Sequence, residues 1–230
     1  LSYFNSGSNN EYTLNRNKNI FDQVHLIPRV LRDVSTTSLN TTILGKQVSS
    51  PLIIAPTALQ KMLNPNGELA TASIAKSSNI IYTLSTLSTT TIEDVAESNG
   101  DGIRWFQLYI MKDRNKTIEL IKRAEAHGYT ALVITIDAPI MGYRDRDFQI
   151  QFKYPPGIEL VNLGSRGENS MNMPGDRSEL FSYFSSNIDP SLTWDSIKWI
   201  RSITNLHIVL KGIHSPEDAL LARSEERRAG

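Results

Sequence analysis

The sequence predicts an α/β fold in which parallel strands alternate with helices. Three observations carry that expectation. Short apolar runs rich in Ile, Val and Leu recur along the chain, and most are closed by a Pro, Ser, Gly or Asp. Between them lie segments of helical composition with recognisable start and stop residues. Neither G-x-G-x-x-G nor a P-loop pattern follows any run, which removes support for a nucleotide-binding sheet. Five such βα units fit either an open doubly wound sheet or part of a (β/α)8 barrel.

Taken in order, "PLIIAP" (51–56) reads as a strand buried on both faces, because it is short, Ile-rich and stopped by Pro. Residues 67–79 read as a helix, and "IIYTLS" (80–85) as the second strand. Thr90 and Glu93 have capping-box spacing at the start of the next helix, which Gly100 ends. "IRWFQLYI" (103–110) is the third strand. In 113–128, Ile118, Ile121 and Ala124 share one face, and Gly128 is the C-terminal stop. "ALVITID" (131–137) is the fourth strand. Residues 156–191, rich in Gly, Ser, Asn and Pro, predict a long mobile excursion. A helix capped by Thr193, the strand "HIVLKG" (207–212) and a helix begun by Ser215 and Pro216 complete the pattern.

Composition narrows the functional classes. Lys+Arg and Asp+Glu are both 24, so the formal net charge is zero and the basic excess of a nucleic-acid binder is missing. The sequence has no Cys, which excludes disulfides, thiol catalysis and thiolate metal sites. No apolar run approaches the roughly 20 residues that cross a bilayer. The first residues, "LSYFNSGSNN", are not a secretory signal, and they lack an initiator Met.

In a (β/α)8 barrel the active site lies at the C-terminal ends of the strands. Here those ends offer Thr57, Ser85, Gln107 with Tyr109, Thr135 with Asp137, and Lys211. Every strand ends in a hydrogen-bonding group. The set contains one carboxylate, one ammonium, an amide and hydroxyls, without a cluster of metal ligands. It suits a planar heteroaromatic cofactor rimmed by hydrogen-bonding atoms, although strand ends are also polar simply because they meet loops and water.

The strings "SYFNSG", "IIAPTALQKM", "YTLST", "FQLYIMKDR", "VITIDAP", "GYRDRD" and "IVLKGI", in this order, resemble the FMN-dependent 2-hydroxy-acid oxidase family from Leu1 to about Ala222. The likeness is strongest to glycolate-type oxidases. It implies a TIM barrel of the FMN-linked oxidoreductase type, incomplete here at about five of eight βα units over residues 1–223, followed by a divergent polar tail, 224–230. It also implies oxidation of a small (S)-2-hydroxy acid, with FMN as cofactor and O2 as electron acceptor. Full-length members are expected to be homo-oligomers, and the family address is peroxisomal, although "RAG" is no targeting tripeptide.

Carried over by position, the resemblance runs Pro56, Thr57 and Ala58 past the flavin ring and places Ser85, Gln107 and Thr135 at its edge. Lys211 falls near flavin N1. Tyr3, Tyr109 and Arg144 would hold the substrate, and Asp137 would pair with the catalytic histidine. That histidine belongs to a "SNHGGRQ"-like stretch which these 230 residues do not contain, nor do they contain the "DGG" and "GR" phosphate segments. The isolated chain is therefore expected to be inactive. An alternative is a remnant or pseudoenzyme that acts by association with full-length subunits; a weaker one is an unrelated (β/α) enzyme with another cofactor. His214 is a remote substitute base that would need Asp137 as its partner, while His25, His127 and His207 read as structural. Leu87 and "FQIQF" (148–152) depart from the family and leave the side-chain preference for substrate open.

Overall fold

The computed structural model describes residues 2–150, 153–164, 171–172 and 183–227. Two short helices open the chain, α1 (Ser2–Asn5) and α2 (Tyr12–Asn19). An antiparallel hairpin follows, β1 (Thr41–Ile43) and β2 (Lys46–Val48). The alternation then begins: β3 (Ile53–Ile54), α3 (Gly67–Ser77), β4 (Ile81–Leu84), α4 (Ile92–Asn99), β5 (Arg104–Leu108), α5 (Arg114–Ala126) and β6 (Ala131–Thr135). After α6 (Asp145–Gln149), a hairpin of β7 (Glu159–Leu160) and β8 (Met171–Asn172) interrupts it. The rhythm resumes with α7 (Trp194–Ile203), β9 (His207–Lys211) and α8 (Pro216–Arg227).

The main sheet has the order β3-β4-β5-β6-β9, and every pairing in it is parallel. A doubly wound sheet reverses its strand order at a switch point. This order never reverses, so the sheet is an arc of a (β/α)8 barrel, five strands wide.

Strand periodicity divides its two faces. Tyr82, Leu84, Phe106, Leu108, Leu132 and Ile134 pack with Ala72 and Ala75 of α3, Val95 of α4, Ile121 and Ala124 of α5, and Ile200 of α7. The intervening residues Ile81, Trp105, Ala131 and Val133 form a second cluster with Val48 of β2. The inner face is therefore apolar where the strands start and polar where they end.

Several local expectations are corrected. The strand in 51–56 is only two residues long, and Leu52 and Ile53 are exposed, because β3 is an edge strand paired on one side alone. The N-cap of α4 is Thr91, whose hydroxyl accepts from the Asp94 N–H; the Thr90 hydroxyl is committed to Glu68 instead. The buried face of α5 is Thr117, Leu120, Ile121 and Ala124, with Ile118 half-buried. Thr117 belongs there because its hydroxyl accepts from the Met111 N–H. Within 156–191 the described residues include β7, β8 and a return over the sheet: Asp189 N–H donates to the Ile110 carbonyl, and Arg114 pairs with the Asp189 carboxylate at 2.6 Å. Residues 165–170 and 173–182 of that excursion, Gln151 and Phe152 of "FQIQF", and 228–230 of the tail lie outside the described residues. The helix α8 runs through Ser224 to Arg227.

One ion pair fastens α4 to α5. Arg123 grips Glu93 with two parallel bonds of 2.8 and 2.9 Å, and its Nη2 also donates to Asn162 Oδ1. These bonds hold the Glu93 carboxyl down to about 2, against the opposing effect of burial. A depressed folded pKa means the stabilisation is complete above the ordinary Glu range, near 4.5, and is lost as pH falls towards 2. After allowance for solvent screening it is worth about 1–2 kcal/mol. Glu93→Gln should therefore flatten the loss of urea stability between pH 4.5 and pH 2; an unchanged slope would show that other carboxylates carry it. Among the described residues, no helix is long and apolar enough to cross a membrane.

Candidate active site

Ser85 follows β4, and its hydroxyl donates to Gln107 Oε1 at 3.3 Å while accepting from the Leu87 N–H at 3.1 Å. Gln107 on β5 is 2% exposed. Its Oε1 also accepts from the Thr86 N–H, at 3.1 Å, and its Nε2 donates to Thr135 Oγ1 at 2.9 Å. Three strands are thus joined side chain to side chain on the inner face, and the bonding fixes which way the amide points. Thr86 braces the row from behind: its hydroxyl donates to the Gln107 carbonyl at 2.5 Å and accepts from the Tyr109 N–H.

Strand register carries the row to β9, where Lys211 lies opposite Thr135. Lys211 Nζ is 3.6 Å from Asp137 Oδ1, and His214 Nε2 is 3.7 Å from Oδ2. Both distances exceed a direct hydrogen bond, and the Lys211–Asp137 distance is an ion-pair separation. Gly212 permits the approach. It sits at φ +113°, and a Cβ there would lie 2.4 Å from Asp137 Cγ.

Tyr109 stands two residues beyond Gln107, its ring edge-on to Phe184 with centroids 5.2 Å apart. Burial pushes its hydroxyl up to about 12, and the nearby Tyr3 and Asp137 add to the shift. Arg144 stacks 4.7 Å over the Tyr3 ring. Its Nη2 donates to the Tyr3 carbonyl, and to the Ser6 carbonyl and hydroxyl at 2.7 and 2.6 Å. Its Nε lies 3.2 Å from Asp147 Oδ2. These contacts dock α1 onto α6. Pro56, Thr57 and Ala58, half-buried after β3, join the same rim through Leu59, whose N–H donates to the Leu87 carbonyl.

The expected residues therefore converge. Ser85, Gln107 and Thr135 are in direct contact, Lys211 and Asp137 adjoin them, Tyr109 lies near both Asp137 and Tyr3, and Arg144 stacks on Tyr3. His214 does face Asp137, as a substitute base would need, but its side chain is 79% exposed. His127 sits at the C-terminal cap of α5 with Nδ1 on the Arg123 carbonyl, and His25 and His207 are exposed. Leu87 is packed into the core. Sequence reasoning missed Thr86 and Glu68; the hydroxyl-rich run "STLSTTT" (85–91) was the available signal, since a run of that kind after a strand braces turns through its side chains. Among the described residues no group of three or more His, Asp or Glu could hold a metal ion.

The family model described as FMN-dependent dehydrogenase matches residues 1–228. A 2-hydroxyacid oxidase from Dictyostelium discoideum is 46% identical over 222 residues, covering 96% of this chain and 55% of the relative. Glycolate oxidase 3 from Arabidopsis thaliana is 44% identical over 220 residues, covering 96% of this chain and 59% of its own length. A soluble mutant of the membrane-associated (S)-mandelate dehydrogenase from Pseudomonas putida superposes with a TM-score of 0.86 at 37% identity, covering 97% of this chain and 62% of that one. The chain thus spans less than two thirds of each of these relatives. With the family model matched along nearly its whole length, the chain belongs to the FMN-dependent dehydrogenase family.

Proposed function

We propose that this chain is part of an FMN-dependent oxidase of small (S)-2-hydroxy acids of the glycolate or lactate type. The row Ser85–Gln107–Thr135 is the observation that carries the reading. Its hydroxyls and amide, neutral and buried, suit the alternating donors and acceptors along the pyrimidine edge of an isoalloxazine ring. Lys211, register partner of Thr135, would add a fixed cation where reduced flavin gathers negative charge. The donor set therefore fits the ring.

Bound FMN would supply the two-electron chemistry, taking electrons from the hydroxy acid and yielding them to O2. The chain's own residues would bind and orient. Pro56, Thr57 and Ala58 would present backbone to the ring. Tyr109, its hydroxyl held protonated by burial, would donate to the substrate. Tyr3 and Arg144 would form the carboxylate end of the pocket, with Arg144 exchanging one of its bonds to α1 for the substrate. Asp137 would orient and stabilise the protonated form of a histidine base. The 230 residues hold no "SNHGGRQ" stretch to supply that base, so the chain alone should produce no 2-oxo acid from glycolate or lactate with added FMN. Fused to the C-terminal βα units of a plant glycolate oxidase, it should form 2-oxo acid and hydrogen peroxide in equal amounts. A well-folded fusion without turnover would contradict the proposal. A peroxisomal setting, implied by the resemblance, belongs to the same proposal.

One observation favours a second reading, in which the chain acts by association with full-length subunits. Val24, Leu26, Ile27, Val30, Leu31 and Val34 are 63–101% exposed. Strands β3 and β9 close the sheet at either side, each with one edge unpaired among the described residues. On this reading the chain co-sediments with a longer family member.

A further inference from the structure

Glu68, the second residue of α3, is fully buried, yet its carboxylate meets four neutral donors. Oε1 accepts from the backbone N–H groups of Gln60 at 3.2 Å and Thr89 at 2.8 Å. Oε2 accepts from the hydroxyls of Thr89 at 2.6 Å and Thr90 at 2.8 Å. An unpaired buried charge is costly. Here it is offset by four hydrogen bonds and by its place in the first turn of a helix, where a negative charge is favoured.

The donors come from two different loops. Gln60 belongs to the turn after β3, two residues beyond Ala58; Thr89 and Thr90 belong to the turn after β4, which starts at Ser85. Two further bonds tie the same loops together: Leu59 N–H to the Leu87 carbonyl at 3.0 Å, and Lys61 N–H to Thr89 Oγ1 at 3.2 Å. Gln60 extends the network, donating to the Thr57 carbonyl and accepting from Thr71. The turn needs such support. Leu59 is buried at φ +59°, a conformation that a bulky side chain adopts only when its surroundings impose it. Gly67, just before Glu68, is at φ +45°, and a Cβ there would lie 2.7 Å from Lys61 Cγ. Burial and the charge of Glu68 both push the Tyr82 hydroxyl up, which keeps it neutral beside Gln60.

We infer that Glu68 is a positioning residue: its carboxylate locks the loop 57–61 against the loop 86–90 and so sets the spacing of the rim on which a flavin ring would lie. The inference deepens the proposed function and rests on it only where the flavin is concerned. An acceptor on both oxygens is what the geometry requires, and glutamine offers one acceptor and an amide that cannot accept from Thr89 or Thr90.

Amide hydrogen exchange on the flavin-free chain tests the lock. In Glu68→Gln, exchange in 57–61 and 86–90 should accelerate together, by about 10-fold or more, while 104–108 and 131–135 stay protected. Thr90→Val, which removes one bond to Glu68, should give the same paired pattern at smaller amplitude if Glu68→Gln folds poorly. Acceleration confined to the first turn of α3, or spread evenly over the chain, would overturn the inference. With saturating FMN, the visible absorption and induced circular dichroism of the flavin should shift in Glu68→Gln; identical spectra would mean that Glu68 serves stability alone. If the unmutated chain binds no FMN, the proposed function fails while the exchange pattern still decides the lock.

Discussion

Replacing Arg104 with leucine is expected to destabilise the fold by about 3–4 kcal/mol, the largest loss of any single substitution considered. Arg104 opens β5, and its guanidinium is spent on carbonyls at the ends of two helices. Its Nη1 donates to Gly100 O at 2.8 Å, Gly102 O at 3.1 Å and Asn99 Oδ1 at 3.3 Å; Nε and Nη2 both donate to the His127 carbonyl. It also lies 5.5 Å over the Tyr129 ring. These acceptors are the orphan groups that follow α4 and α5, and a leucine would leave them without donors, the Asn99 side chain fully buried and the Gly102 and His127 carbonyls in half-buried residues. Gly128, at φ +69°, keeps clear the space that the guanidinium fills, since a Cβ there would lie 2.9 Å from Nη2. Urea unfolding should show a much lower midpoint at an unchanged m-value. A loss under about 1 kcal/mol would mean that water replaces the arginine without penalty.

The second large effect falls on the site. Gln107→Leu keeps the shape of β5 but cuts the row at its centre. It strands the Thr86 N–H and leaves Ser85 and Thr135 without their partner. If the row holds the ring edge, flavin affinity should fall about 100-fold, or about 2.7 kcal/mol, while far-ultraviolet circular dichroism stays native. Gln107→Glu keeps the acceptor and loses the donor to Thr135, so its affinity should lie between the two.

The barrel arc was legible because each strand is a short apolar run and each helix carries its own punctuation. The chain itself never reveals whether the sheet reverses its order; the unbroken sequence β3-β4-β5-β6-β9 supplies that. Convergence at the strand ends was legible for a related reason. Residues two apart on a strand share a face, so Gln107 and Tyr109, like Thr135 and Asp137, had to point the same way. What escaped the sequence depends on distant partners. Glu68 reads as an ordinary first-turn acid, and only folding brings Gln60, Thr89 and Thr90 to it. Arg144 reads as a carboxylate clamp by resemblance, and only the structure commits it to Tyr3, Ser6 and Asp147. The N-cap of α4 moved by one residue for the same reason, because Glu68 claims Thr90.

Titration of flavin fluorescence with the 230-residue chain tests the central claim most directly. If the row holds the ring as proposed, its residues would meet the ring and not the phosphate, so FMN and riboflavin should both be quenched at one site per chain and with closely similar affinity. Absence of saturable quenching by either flavin would show that the Ser85–Gln107–Thr135 row does not hold an isoalloxazine ring.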